Sequence, residues 1–120
     1  MNNMKENMNI YQEERPWGLF RRFTDNEIST VKIIKIKPNE ELSLQSHKKR
    51  GEFWRVISGG GIFEIGEKKY IVETGVEQYV PVETKHKMTA GMDGMEVLEV
   101  SFGEFDENDI VRYEDKYGRV

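Results

Sequence analysis

Two histidines, a glutamine and a glutamate are the residues of this chain whose types and spacing suit metal chemistry. The chain contains only two histidines, His47 and His86. Gln45 and His47 are two residues apart, so on one strand their side chains point to the same face. Glu52 follows residues 48–51, a polar segment typical of a hairpin turn. It therefore begins a neighbouring strand, and its side chain can point to the same face as those of Gln45 and His47.

Two imidazoles, one carboxylate and one amide oxygen together suit a borderline divalent ion such as zinc, manganese, cobalt or iron. If positions on such an ion stay open to water or substrate, the site would be catalytic rather than structural. A histidine on a strand is more often a core or surface residue than a ligand. Spacing alone therefore leaves both interpretations open.

The elements that must position these side chains are short strands. Strand signals cover residues 19–23, 29–37, 42–47, 52–58, 62–65, 69–72, 78–81, 86–89 and 95–102. Turns are predicted at the three glycines 59–61 and at residues 91–94, and residues 106–109 could start a helical turn. Strands spaced by roughly 8–12 residues and separated by glycine or proline predict an antiparallel sandwich or barrel.

Side-chain alternation assigns further residues to faces of these strands. Trp54 shares parity with Glu52, so we expect it to pack inside the barrel near the metal ligands. Lys32, Lys35 and Lys37 are interpreted as a solvated strand face, although one of them could contribute to a phosphate pocket.

Length and composition limit the class of protein. A chain of 120 residues has room for one domain, and we predict an N-terminal arm over residues 1–14 and a single domain over residues 15–120. The 18 basic and 22 acidic residues give a net charge of −4, which favours neither nucleic acid nor a membrane as partner. The absence of cysteine excludes disulfides and thiolate metal sites. No signal peptide or membrane span is evident, and a cytoplasmic protein is expected.

Four segments carry a resemblance to a known family. Residues 42–54, LSLQSHKKRGEFW, are similar to the first signature of the type II mannose-6-phosphate isomerases. These cupins also form the C-terminal domain of bifunctional enzymes with a mannose-1-phosphate guanylyltransferase. Residues 15–18, RPWG, resemble the opening motif of the family, Pro81 followed by His86 fits its second cupin signature, and residues 105–119, FDENDIVRYEDKYGR, resemble its C-terminal motif.

The resemblance implies a single-domain cupin, a double-stranded β-helix or jelly-roll barrel, that isomerises a sugar phosphate. It implies one divalent metal ion, zinc first, with manganese, cobalt, nickel or iron as alternatives, held by Gln45, His47, Glu52 and His86. It also implies that Arg112 reaches into the active site and that Ser43 lies near the sugar phosphate. Arg50 either anchors the hairpin or binds substrate.

Several positions depart from the family pattern. Lys48 and Lys49 replace histidines and Phe53 replaces the histidine before Trp54, which leaves the identity of the sugar open. The expected reaction interconverts mannose 6-phosphate and fructose 6-phosphate through an enediol. The alternatives are another metal-cupin enzyme and a non-enzymatic sugar-binding or regulatory cupin. A homodimer is expected, because barrels of this kind often pair through edge strands.

Overall fold

The computed structural model describes residues 10–119, and these form strands and turns without a helix. The strands are β1 (Tyr11–Arg15), β2 (Gly18–Arg22), β3 (Ser29–Ile36), β4 (Leu44–Ser46), β5 (Gly51–Ile65), β6 (Lys68–Glu73), β7 (Glu77–Val80), β8 (His86–Phe102) and β9 (Val111–Glu114). The predicted all-β class is therefore confirmed. Within these residues no helix could cross a membrane.

Two long antiparallel strands, β5 and β8, connect the two faces of the barrel. The first half of β5 pairs with the second half of β8, and β7 and β3 extend this face on either side. The second half of β5 pairs with the first half of β8, and here β6 lies on one side and β4 followed by β9 on the other. The candidate residues on β4, β5 and β8 are thereby brought to a common interior.

The core fills the space between these two faces. Trp54, Phe63, Met88 and Val97 are buried there, and the rings of Trp54 and Phe63 meet edge to face at 4.8 Å. Phe53, the residue before Trp54, points to the opposite side of β5, where it packs in a second cluster with Tyr79 and Val100. Because β5 is covered on both sides at this point, the strand that carries Glu52 is held firmly.

A hairpin of β1 and β2 adjoins the second cluster, against which Ile10 and Phe23 pack, immediately before β1 and after β2. Residues 1–9 of the predicted arm lie outside the described residues, whereas Tyr11–Arg15 form β1 and pair with β2 over their full length. Arg21 donates two hydrogen bonds to Glu77, which also pairs with Arg55. Burial alone would raise the pKa of Glu77, but these arginines hold it below its usual value. The ion pairs therefore tie the hairpin to the barrel.

The predicted turns at residues 59–61 and 91–94 are wrong, because both segments continue as strand. The three glycines lie inside β5, where the register shifts between Gly59 and Gly61, and residues 91–94 lie inside β8. A Cβ on Gly61 would lie 2.0 Å from the Thr89 carbonyl oxygen. Glycine is required here because β5 and β8 approach closely as they bend from one face to the other.

The C-terminal segment returns across the open side of the barrel. Residues 106–109 form one turn, in which the Asp109 N–H donates to the Asp106 carbonyl at 2.9 Å, and no helix follows. The chain then enters β9, which pairs with β4. This return is what brings Arg112 next to Gln45.

Candidate metal centre

Three of the candidate residues lie side by side on one face of the barrel. Gln45 on β4 is the register partner of His86 on β8 and of Arg112 on β9. Register partners in neighbouring strands point to the same side of a sheet. All three side chains line one pocket, which therefore carries an imidazole, an amide and a guanidinium in a row.

Glu52 reaches the same pocket from the opposite face. Its carboxylate oxygens lie 3.5 Å from His47 Nε2 and 3.6 Å from His86 Nε2. His47, Glu52 and His86 are all buried, and one ligand atom from each lies within 4.8 Å of the others. These three residues form a cluster that could hold a metal ion.

The hydrogen bonds of the histidines direct the same ring nitrogen of each toward Glu52. His47 Nδ1 is 2.7 Å from the Asp109 carbonyl oxygen, and His86 Nδ1 is 2.8 Å from that of Thr84. A carbonyl oxygen only accepts, so each Nδ1 carries the proton and each Nε2 keeps its lone pair. Histidines oriented in this way by a backbone carbonyl are typical of metal ligands. The donor set therefore fits a divalent ion.

The charges at the cluster also suit a cation. Burial lowers the pKa of His47 and of His86, which keeps both imidazoles neutral near pH 7. Burial alone would raise the pKa of Glu52, but attraction to His86 and His47 in their protonated forms, and to the Arg50 guanidinium, which donates to it, holds that pKa below its usual value. Two neutral imidazoles and one carboxylate therefore face one another within the cluster.

Gln45 and Ser43 form a hydrogen-bonded pair on the pocket wall. The amide nitrogen of Gln45 donates to Ser43 Oγ at 3.0 Å. The Gln45 amide oxygen is consequently the atom left for a cation. Ser43 is buried and lines the pocket, and its role near a sugar phosphate stays a prediction.

Arg50 contacts the cluster directly. Its Nε donates to Glu52 at 3.2 Å, its Nη2 lies 3.2 Å from His47 Nε2, and its Nη1 donates to the Asp106 carbonyl at 3.4 Å. Arginine has no acceptor atom, so the contact with His47 supports an unprotonated Nε2. These bonds hold the hairpin against the C-terminal segment, while the role of Arg50 in binding substrate stays a prediction.

The pocket has a volume of about 540 Å³, and sequence reasoning missed part of its lining. Trp54 lies inside as expected and donates to Glu52 at 3.0 Å. Glu99 is buried beside it on β8, and burial together with the Glu52 carboxylate raises the pKa of Glu99 to about 8. The sequence does contain a sign of this burial, because Glu99 is the one charged residue in the otherwise apolar segment 97–100.

Lys32 is exposed, like Lys35 and Lys37, but it also lines this pocket, in agreement with the alternative that one of the three lysines contributes there. Lys32 is separated from Ile34 and Ile36 by even numbers of residues, so on β3 it points to the same inner face as they do. Lys35 and Lys37 alternate with these residues and point to the other face. Strict alternation along β3 would have separated them.

Asp109 links the C-terminal segment to the turn over residues 47–50, which connects β4 to β5. Its carboxylate accepts from the backbone N–H groups of Lys48 and Lys49, both at 2.9 Å, while its carbonyl orients His47. These hydrogen bonds to the backbone, the first of them most, lower the pKa of Asp109. Asp109 is therefore a positioning residue for one predicted ligand.

We expect Asp109→Asn to weaken binding of Zn²⁺ by about tenfold, the lower end of effects seen when a group supporting a ligand is changed. An amide offers one acceptor oxygen where the carboxylate offers two, so one backbone donor loses its partner. Competition with a chromogenic chelator measures the affinity, and Asp93→Asn, on an exposed part of β8, is the control. Equal Zn²⁺ affinity for both variants would show that Asp109 does not position His47.

Comparison with known proteins identifies the relatives of this chain. The family model described as mannose-6-phosphate isomerase C-terminal matches residues 2–115. Xanthan biosynthesis protein XanB of Xanthomonas campestris pv. campestris is 37% identical over 108 residues, covering 88% of this chain and 23% of that protein. A mannose-1-phosphate guanylyltransferase of Salmonella montevideo is 37% identical over 122 residues, covering 99% of this chain and 26% of the relative. The chain thus spans about a quarter of the length of these curated relatives.

A solved structure supports the fold. A cupin protein from Bacteroides fragilis superposes with a TM-score of 0.58 at 20% identity, covering 68% of this chain and 74% of that one. The predicted cupin fold is therefore confirmed, on the likeness of the backbone alone.

Proposed function

Because this chain belongs to the mannose-6-phosphate isomerase C-terminal family, we propose that it is a metal-dependent isomerase that interconverts mannose 6-phosphate and fructose 6-phosphate. The observation that carries the proposal is a single open pocket that holds both a buried cluster of two histidines and a glutamate and the guanidinium of Arg112. A sugar-phosphate isomerase needs such a combination, because negative charge develops on the oxygens bound to the reacting carbons and is already present on the phosphate.

His47, Glu52 and His86 would hold the ion, with the amide oxygen of Gln45 as a fourth donor. Zinc is the first choice for two imidazoles and a carboxylate, and manganese, cobalt, nickel or iron are the alternatives. When bound, a divalent ion supplies Lewis-acid stabilisation of negative charge on substrate oxygens.

Isomerisation moves a proton between C1 and C2 of the sugar through an enediol. Arg112 lies beside Gln45, so its guanidinium is well placed to stabilise the negative charge of an enediolate. Arg112 lines the pocket, and its buried Nε has no hydrogen-bond partner among the described residues. Ser43 and Arg50 are proposed as further substrate contacts at the wall of the pocket.

The assembly proposed for this enzyme is a homodimer with a small sugar phosphate as its ligand, without nucleic acid or membrane partners. The outer face of β3 supports pairing, because Val31 and Ile33 are 60% and 59% exposed there. Apolar side chains grouped on one exposed sheet face favour burial against another surface.

The test is turnover by protein reconstituted with Zn²⁺ and, in parallel, with Mn²⁺, Co²⁺, Ni²⁺ or Fe²⁺. We expect mannose 6-phosphate to give fructose 6-phosphate, and in D₂O the recovered sugar should carry solvent deuterium at C1 or C2, because the enediol exchanges its proton. Chelator-treated protein is the control. Tight binding of mannose 6-phosphate without turnover or deuterium exchange under any metal would identify a sugar-binding cupin instead.

A further inference from the structure

Lys32 brings a positive charge to the pocket wall opposite Arg112. It lies on β3, where its register partner on β8 is Glu99, and Glu99 in turn faces Trp54 on β5. These three side chains share the inner face of the sheet and line the pocket. Arg112 lies on β9, at the end of the other face. The pocket is therefore bounded by a cation on each side.

The other cations of the pocket already have carboxylate partners. Arg50 pairs with Glu52 at 3.2 Å, Lys87 pairs with Glu41 at 2.9 Å, and Arg119 pairs with Asp115 at 2.6 Å. Within residues 10–119, no carboxylate oxygen lies within 4.0 Å of the Lys32 ammonium or of the Arg112 guanidinium. Among the cations that line the pocket, Lys32 and Arg112 are therefore the two without a carboxylate partner in the described part of the chain, and both can bind an anionic ligand.

Phe105 holds the Lys32 ammonium at the pocket. Lys32 Nζ lies 4.3 Å from the centroid of the Phe105 ring, and the Arg50 guanidinium lies 4.3 Å from the same centroid. A cation over an aromatic face is attracted by the ring while its charge stays available. Because Phe105 comes from the C-terminal segment, that segment positions Lys32 as well as Arg112.

We propose that Lys32 binds the phosphate group of the sugar phosphate, which leaves Arg112 for the reacting end of the molecule. This assignment rests on the proposed function. In a hexose 6-phosphate the phosphate lies at the opposite end of the chain from C1 and C2. Arg112 adjoins Gln45 beside the metal cluster, whereas Lys32 comes from the exposed strand β3 on the other face. A phosphate monoester carries a charge of about −1.5 to −2 at pH 7, which an unpaired ammonium matches as a point charge.

The test compares Lys32→Gln with Lys35→Gln in metal-reconstituted protein. Lys35 is on the same strand, but it points outward, its side chain is 77% exposed and it lies 3.9 Å from Glu96, so its replacement removes the same charge outside the pocket. Calorimetry measures the Kd for mannose 6-phosphate and for mannose. We expect Lys32→Gln to raise the Kd for mannose 6-phosphate about tenfold, equal to about 1.4 kcal/mol. The Kd for mannose and the metal content should stay at parental values.

Two further results separate this inference from the proposed function. Lys32→Arg, which keeps the charge, should restore most of the affinity for mannose 6-phosphate. If Lys32→Gln binds mannose 6-phosphate as tightly as Lys35→Gln while the parent turns it over, the assignment of Lys32 is wrong and the isomerase proposal stands. If the parent shows no turnover but its affinity for mannose 6-phosphate still depends on Lys32, the phosphate site stands and the isomerase proposal fails.

Discussion

Replacing His47 and His86 together with alanine is expected to remove the bound divalent ion and to lower isomerase activity by about a thousandfold or more. Both Nε2 lone pairs of the cluster disappear, and the buried Glu52 carboxylate alone is a poor ligand set. Lewis-acid stabilisation contributes several kcal/mol, and each 1.4 kcal/mol corresponds to a factor of ten in rate. Elemental analysis of the purified protein and steady-state kinetics measure the two effects.

Ser101→Ala is the matched control for the double variant. Ser101 lies opposite Glu52 on β8, is fully buried, and its hydroxyl has no hydrogen-bond partner among the described residues. Its removal changes a buried polar group near the cluster without removing a ligand, so metal content should stay at the parental level. A double histidine variant that retains as much metal as Ser101→Ala would refute the site.

The same site can be tested without a substitution, in case the double variant folds poorly. A ligand bound only by the native state stabilises it by about 2.7 kcal/mol when present at a hundred times its Kd. For a domain of this size that corresponds to a fall in Tm of roughly 10 °C on removal of the ion, with full recovery when metal is added back. Coincident melting curves with and without chelator would mean that no ion is held in the folded protein.

Arg112→Lys is expected to lower kcat about 100-fold while KM changes by less than about threefold. Lysine keeps the charge but lacks the planar fork of donors, and the loss of one donor to a developing anion costs a factor of this order. An effect confined to kcat would assign Arg112 to the enediolate, since uniform binding of the phosphate would change KM instead. An effect on kcat without an effect on KM would also agree with the proposal that Lys32, and not Arg112, binds the phosphate.

Two controls accompany this prediction. Arg22→Lys makes the same exchange on the exposed hairpin strand β2, where Arg22 pairs with Asp25 at 3.5 Å, and should leave kcat unchanged. The Tm and metal content of Arg112→Lys should match those of the parent, because Arg112 has no ion-pair partner among the described residues. Unfolding of this variant would instead make Arg112 a structural residue, and a kcat equal to that of the parent would remove it from the mechanism.

Several properties follow from the amino-acid sequence by itself. Alternating apolar residues between glycines and prolines predicted an all-β domain, and the strands over residues 29–36 and 95–102 are found almost as expected. The motif around His47 and the C-terminal motif identified the family, which the match over residues 2–115 confirms. These inferences succeed because alternation along a strand and the order of ligand types are local features, written directly in the chain.

Only the tertiary structure decided how those elements meet. Residues 59–61 and 91–94 continue as strand because β5 and β8 pair with each other on both sides of the bend, a long-range contact that outweighs the local turn tendency of glycine. The raised pKa of Glu99 and the protonated Nδ1 of His47 depend likewise on neighbours distant in sequence. Burial and charge–charge interactions act through space, so the sequence names the side chains of this site but does not state their ionisation or their partners.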